Sequence, residues 1–581
     1  MIIFTNSNKF FSDSFNGGST PKPVRLMWRR FRWPVVIGAI VFCTVAFTPA
    51  EKYFDIAKSL DIYATLFKEV NTYYVDEVEP QKLVRKSIDA MLESLDPYTD
   101  YIPEDELESF RITTTGQYGG IGALIGIVNK RPVITHPYRN FPAFRSGLRI
   151  GDEIVSVDGQ STKGKTTSQI SSLLKGQPKT EVEIRVKRFG QKEELTFRIK
   201  REKISVTNLT YAGMVDDKTG YLKLDDFTPG ASREIAEAIT KLKDNGATRL
   251  ILDLRDNPGG LLHEAINIVS LFVPKGEEVV STKGKVAEWN KRYHTLNNPV
   301  DTQIPLAVLV SEGSASASEI VAGALQDYDR AVLVGKKTFG KGLVQTTRPL
   351  AYNSQLKVTT AKYYIPSGRC IQALDYTHRR DDGTVLRVAD SLKTAFTTRN
   401  GRKVYDGGGL DPDFEVEDPY QGTITSSLVT SGFVFDFATR YVAANPTVPD
   451  LKQFELTDKE YESFVNYLKE NKFTYSTPLE RSTRQMIEAA KQEKYYSDLE
   501  ASLNVLKNKI ESGKQDDFVR FRKEIKQLVE EQIAFHYALY DGQVKVSIRH
   551  DPAIAEAVKI LQDRAAYLRT LAVTNGHDLK P

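Results

Sequence analysis

The sequence predicts a multidomain α+β protein: an α/β layered core, a small β-rich domain ahead of it, and helical regions at both flanks. Three observations carry this expectation. At 581 residues the chain exceeds one core at roughly 150 residues per domain. From Ile204 to about Pro419 short apolar runs alternate with helical patterns, the mark of a layered α/β fold. From Thr113 to Lys203 the texture changes to clustered glycines and β-rich runs, unlike the helical periodicity before it and after Tyr420.

The N-terminal 50 residues read as a targeting segment. Lys22, Arg25, Arg29, Arg30 and Arg32 precede an apolar run from Trp33 to Phe47, and Glu51, Lys52 and Asp55 follow it. Basic before apolar is the order of an exported chain whose N-terminus stays in the cytoplasm. The run is shorter than the ~20 residues of a comfortable membrane span, so residues 33–48 fit a signal-peptide core or a short anchor. Thr48-Pro49-Ala50 offers a small residue for cleavage, with the proline counting against it, and Phe42 counts against lipid attachment at Cys43. The expected place of work is the cell envelope, on its periplasmic face. A net charge of +4, from 79 basic and 75 acidic residues, gives no nucleic-acid surface. Two cysteines, Cys43 and Cys370, make no disulfide framework.

Residues 51–112 are expected to be helical. Ile56, Leu60, Tyr63, Leu66, Phe67 and Val70 recur at helical spacing, as do Leu83, Val84, Ile88, Met91, Leu92 and Leu95, until Asp96-Pro97 stops the pattern. In 113–203, Gly116, Gly119, Gly120, Gly122 and Gly126 crowd the start. The β-rich runs Arg131 to Thr135 and Glu181 to Lys187 follow, a tight turn falls at Val157-Asp158-Gly159, and a helix from about Thr166 sets Ile170, Leu173 and Leu174 on one side. In 204–419 the buried-type strands are Tyr221 to Leu224, Leu250 to Leu254, Leu306 to Val310 and Val332 to Val334. Helices are expected at Ala231 to Lys243, Leu262 to Phe272 and Ser318 to Tyr328. Residues 420–581 are charged and helical, with a coiled-coil-like stripe of Phe518, Phe521, Ile525 and Leu528 that suits tail packing or self-association.

Two segments could carry chemistry together. Gly313-Ser314-Ala315-Ser316-Ala317-Ser318-Glu319 follows a strand and opens a helix, where free N–H groups could stabilise an oxyanion. The same letters spell a capping box at Ser316 to Glu319, and most such serines only cap helices. A nucleophilic serine needs a base, and none of His136, His263, His294, His378, His536, His550 and His577 stands in a triad context. A lysine serves only if neutral; at a free pKa of ~10.4, about one in a few thousand is neutral at pH 7. Lys341, in Phe339-Gly340-Lys341-Gly342, is the candidate, because burial lowers a lysine's pKa. The stretch Gly335 to Gly342 nearly spells a phosphate-binding loop, but Gly342 replaces the Mg²⁺-binding hydroxyl and the following chain reads as extended. Asp253-Leu254-Arg255-Asp256-Asn257-Pro258-Gly259-Gly260 ends another strand, and its glycines could turn N–H groups toward a carbonyl. No spaced His or Cys partners indicate a metal.

With these pieces in order, the chain resembles the carboxyl-terminal processing, or tail-specific, serine proteases, which carry a PDZ domain. The likeness covers about Leu60 to Asp413. It rests on Leu95-Asp96-Pro97-Tyr98-Thr99-Asp100-Tyr101, Tyr118 to Gly122, Asp253 to Gly260, Gly313 to Glu319, Thr338 to Gln345, and Gly407-Gly408-Gly409-Leu410-Asp411-Pro412-Asp413. The resemblance implies a Ser–Lys dyad with Ser316 as nucleophile, Lys341 as base and Gln345 orienting it. It implies an oxyanion hole from the Ala317 N–H and that of Gly259 or Gly260. Residues 113–203 become the PDZ domain inserted before an α/β protease core at 204–419. Gly120, Ile121 and Gly122 would form its carboxylate loop, with Ile170, Leu173 and Leu174 flanking the groove. The expected partners are proteins with exposed apolar C-termini, together with an adaptor or self-association through the tail and the membrane through the N-terminal segment. No cofactor is expected. A catalytically silent scaffold and an NTPase are the competing readings.

Overall fold

The strand Leu306–Val310 shows how the core is built. Its five residues are all buried, but they face two ways. Leu306, Val308 and Val310 pack with the helices Ala231–Asp244, Leu262–Ser270 and Ala317–Asp327. Ala307 and Leu309 pack on the other face with Pro552–Gln562 and Arg564–Leu571. A strand covered on both sides has no polar alternation, which is why the sequence shows an unbroken apolar run. Six strands form this sheet in the order Leu209–Met214, Thr219–Leu224, Arg249–Asp253, Leu306–Val310, Val332–Gly335, Phe414–Glu415. The first pair is antiparallel and the rest are parallel.

The computed structural model describes residues 32–572 except 381 and 418–421, with side chains from 53 onward except at 515. It divides into two units at Ala90. In the first, Arg32–Tyr73 is a helix, and the helix Pro80–Glu93 begins after a short break, with the Tyr63 and Ser87 hydroxyls hydrogen-bonded. The basic cluster at 22–30 and the side chains of the apolar run and of Thr48-Pro49-Ala50 lie outside the described residues. Among the described residues no helix is long and apolar enough to cross a membrane.

In the second unit, one short strand interrupts the expected helical stretch. Asp100–Ile102 joins a second sheet, in which it pairs with Gln355–Tyr364, followed by Glu278–Gly284 and Lys291–His294. Leu343–Pro349 also pairs with Gln355–Tyr364. The small β domain is a separate sheet running from Ala123 to Lys200, closed at its base by a ladder of Gln117–Gly120 on Glu202–Ser205. Its strand Ala123–Val128 is an edge, and the helix Thr167–Leu174, capped by Thr166, lies beside it.

From Thr423 to Ser547 the helices share one core, and the stripe Phe518, Phe521, Ile525 and Leu528 packs into it. This stripe is tail packing within the chain. The helical region also grips the small β domain: Asp436 accepts hydrogen bonds from Asn129 and Arg131, each 2.7 Å. Only Pro478–Gln492 and Tyr496–Gln515 stand aside from that core, as a pair of their own. The helices Pro552–Gln562 and Arg564–Leu571, joined by Val544 at the end of the helix Arg522–Ser547, belong to the α/β core.

Candidate active site

The turns after two adjacent parallel strands, Asp253 to Gly260 and Ser311 to Glu319, lie side by side, as expected at the carboxyl ends of such strands. The second turn opens with Ser311, whose hydroxyl bonds to Asp256, and the three serines that follow are not equivalent. Ser314 is buried, donates to Leu254 O at 2.7 Å and accepts the Ser311 N–H. Ser318 is buried and donates to Asn257 O at 2.9 Å. Both hydroxyls serve to stitch the two turns together. Ser316 is half-buried and precedes the helix Ala317–Asp327 with φ 56° and ψ −111°. A non-glycine residue held there costs ~1–3 kcal/mol, a strain concentrated at functional sites.

Close approach requires glycine opposite it. Gly259 has φ 97°, and a Cβ there would meet Ala317 N at 2.7 Å and Ser316 Cβ at 2.9 Å. Asn257, fully buried, fixes this turn: its amide donates to Leu224 O, and its Oδ1 accepts the Gly259 N–H at 2.9 Å. The Gly260 N–H makes no hydrogen bond among the described residues, and Ala317, first in its helix, is one of the helix's unpaired donors. At the root of the turn, burial alone would raise the Asp253 carboxyl, but Arg255 and Lys223 hold it at about 2. Arg255 also reaches Asp551 at 2.7 Å, the cap of the helix Pro552–Gln562.

Glu319 joins the serine turn to the lysine loop. One carboxylate oxygen accepts the Thr338 hydroxyl at 2.6 Å and the Gly340 N–H at 2.8 Å. The other accepts the N–H groups of Ser316 and Lys341, each at 2.9 Å. The capping-box letters therefore hide a four-way anchor, and complete burial pushes this carboxyl up to about 7. The Tyr363 hydroxyl lies 2.6 Å from Lys341 O and 3.2 Å from Ser316 O, a second bridge between the two segments.

Burial lowers the pKa of Lys341, and the charge of Lys357 lowers it further; Glu319 and Asp96 pull the other way. Its Nζ lies 4.4 Å from the centre of the Tyr98 ring. Gln345, in the strand Leu343–Pro349, donates to Thr359 Oγ1 at 3.2 Å. Thr359 N in turn donates to the Thr99 hydroxyl, which is bonded to Asp96. After the near-match to a phosphate loop comes the strand Leu343–Pro349, where a nucleotide site needs a helix. Among the described residues no histidine is hydrogen-bonded to any of the three serines, and no acidic or His/Cys cluster is placed to hold a metal. His577 lies outside them.

In the small β domain, Gly120 ends its strand, Ile121 is buried and Gly122 has φ 74°. Ile170 and Leu174 belong to the domain core, so of the three residues expected beside the groove only Leu173 keeps surface. The resemblance placed all three beside the groove, and their helical spacing is also that of a core face. Sequence reasoning also passed over Glu319, Asn257, Tyr98, Thr359 and Tyr363. Glu319 alone had a signal, an acid three residues after the candidate serine.

Comparison with known proteins agrees with this layout. The model of peptidase family S41 matches residues 218–379, that of the PDZ domain 133–188, and that of the C-terminal helical domain of PDZ-proteases 424–561. A carboxy-terminal-processing protease of Bartonella bacilliformis is 37% identical over 324 residues, 55% of this chain and 74% of that one. A CtpA-like serine protease of Staphylococcus aureus is 37% identical over 317 residues, 54% of this chain and 62% of that one. Among solved structures, the photosystem II D1 C-terminal processing protease aligns with 61% of this chain and 92% of its own at 27% identity, but with a TM-score of 0.32, too loose to carry an argument. The chain belongs to the carboxy-terminal-processing proteases of peptidase family S41, serine endopeptidases that recognise protein tails through a PDZ domain.

Proposed function

We propose that Ser316 and Lys341 are the dyad of this endopeptidase. One observation carries the reading: of Ser314, Ser316 and Ser318, Ser316 alone keeps a surface, and its backbone is tied through Glu319 to that of Lys341. Neutral Lys341 takes the Ser316 proton, and Oγ attacks the scissile carbonyl. The oxyanion is met by the Ala317 N–H and a turn amide. Gly260 is the better donor of the two glycines, because Asn257 already occupies the Gly259 N–H. The lysine ammonium returns its proton to the leaving amine, and water hydrolyses the acyl-enzyme. Gln345, held by Thr359, orients the lysine.

The substrate tail adds as a strand to the edge Ala123–Val128, its carboxylate against the amides of Gly120, Ile121 and Gly122 and its side chains beside Leu173. An apolar C-terminus suits the exposed Leu124 and Ile127 of that strand. The working place is outside the cytoplasm, with residues 33–48 as signal or anchor, on the strength of their basic-before-apolar order. The stripe that suggested self-association or an adaptor packs inside the chain, so the protein substrate is the sole partner proposed.

The test is cleavage of a disordered protein with an apolar C-terminus by wild type, Ser316→Ala and Lys341→Ala. Both variants should lose ~10³-fold or more while remaining folded. Undiminished cleavage by Lys341→Ala would remove the lysine as base. Failure of the wild type itself would favour a scaffold.

A further inference from the structure

Lys341 Nζ lies over the face of the Tyr98 ring, 4.4 Å from its centre, well inside the ~6 Å within which a ring attracts a cation. The ring is held from several directions. Asp96 Oδ1 accepts the N–H groups of Tyr98 and Thr99, at 2.8 and 2.9 Å, and both Asp96 and Thr99 are buried. The next residues, Asp100–Ile102, pair antiparallel with Gln355, Leu356 and Lys357 of the strand that also carries Thr359. Tyr376 packs edge-on against the ring, centres 6.2 Å apart and planes at 87°. A turn far upstream in the chain is thus fastened to the site with one aromatic face presented to the candidate base.

We propose that Tyr98 is a positioning residue for the dyad: its ring fixes Lys341 Nζ and stabilises the positive charge the lysine gains when it takes the Ser316 proton. The inference rests on the reading of Lys341 as the base. The step involves only the transfer of a proton from Oγ to Nζ as the Oγ–carbonyl bond forms, leaving an ammonium and an oxyanion. Burial and the neighbouring Lys357 disfavour that ammonium. The electron-rich ring face opposes them at the moment the charge appears. The phenol is not itself the base, since burial raises its pKa above the ordinary 10 and keeps it protonated. What the site uses is the ring, which phenylalanine shares and leucine lacks.

The experiment measures kcat, KM and the pH profile of kcat for full-length Tyr98→Phe, Tyr98→Leu and phenylalanines with one, two or three ring fluorines at position 98, beside Lys341→Ala. Tyr98→Phe should stay within about 3-fold of wild type. Tyr98→Leu should lose about 10- to 30-fold in kcat with KM little changed, the size of a desolvated cation–π contact. Its acid limb should move to lower pH, because a group that favours the ammonium has gone. Each added fluorine, which drains the ring face but keeps its shape, should lower kcat further. Leucine matching phenylalanine in rate and pH profile, or a fluorine series with no trend, overturns the inference. If leucine prevents folding, the fluorine series decides alone. If Lys341→Ala also keeps full activity, the dyad reading has failed, and a loss in Lys341→Ala with flat Tyr98 variants sinks only the role of the ring.

Discussion

On the serine side of the site, the groups that hold Ser316 come from two turns at the ends of paired parallel strands, and the joints are buried: Ser314 to Leu254, Ser318 to Asn257, Asn257 to Leu224. On the lysine side they come from three separate stretches, around 96–102, 338–345 and 355–363, gathered by a second sheet whose strand Gln355–Tyr364 is mostly half-buried. The proposed nucleophile is fixed by the core that makes the domain. The proposed base is fixed by packing between segments that meet only in the folded chain. A site built this way can lose its base geometry without losing its fold, whereas damage to the nucleophile turn reaches the core.

The strongest test of that contrast is Glu319→Gln, since this carboxylate bonds to both sides through four donors. Glutamine has one acceptor oxygen for four donors, so buried N–H groups lose partners at ~1–3 kcal/mol each. A loss of ~10³-fold in kcat with a clear drop in melting temperature is expected; unchanged melting would show that the two sides are not joined there. Asn257→Ala should follow, with ~10²-fold lower kcat and ~2–3 kcal/mol less stability by denaturant titration, because it opens the serine side at its centre. Thr359→Val removes the hydroxyl on which Gln345 leans. It should cost about 3- to 10-fold in kcat and leave the melting temperature within a degree or two, the signature of a lysine-side change. Smallest is Lys357→Met. Its charge lowers the pKa of Lys341, so removing it should raise that pKa and move the acid limb of the pH–rate profile upward; a limb that stays put would discount the like-charge effect.

The same contrast explains what could be read beforehand. The parallel strands announced themselves as apolar runs, and both turns of the serine side carry recognisable letters at their ends. The lysine was legible for its glycine neighbours, but its surroundings were not. Gln355–Tyr364 is half-buried along most of its length, so it shows neither an apolar run nor a clean alternation. Asp100–Ile102 is three residues long, and Thr99 meets Thr359 across 260 residues of chain. Glu319 was legible but ambiguous, because a helix cap and a site anchor share one spacing. Ile170 and Leu174, which the resemblance set beside the groove, lie in the core of the small β domain.

The helices at 552–571 give the protein a timetable. Until they are made, Ile251, Ala307, Leu309, Val332 and Val334 lack much of their cover on one side, and Arg255 at the root of the Asn257 turn lacks Asp551. The serine turn is synthesised more than two hundred residues earlier, yet its sheet stays half-naked while the chain grows. A chain that stops short of them therefore carries the letters of the candidate dyad on a sheet with much of one apolar face bare.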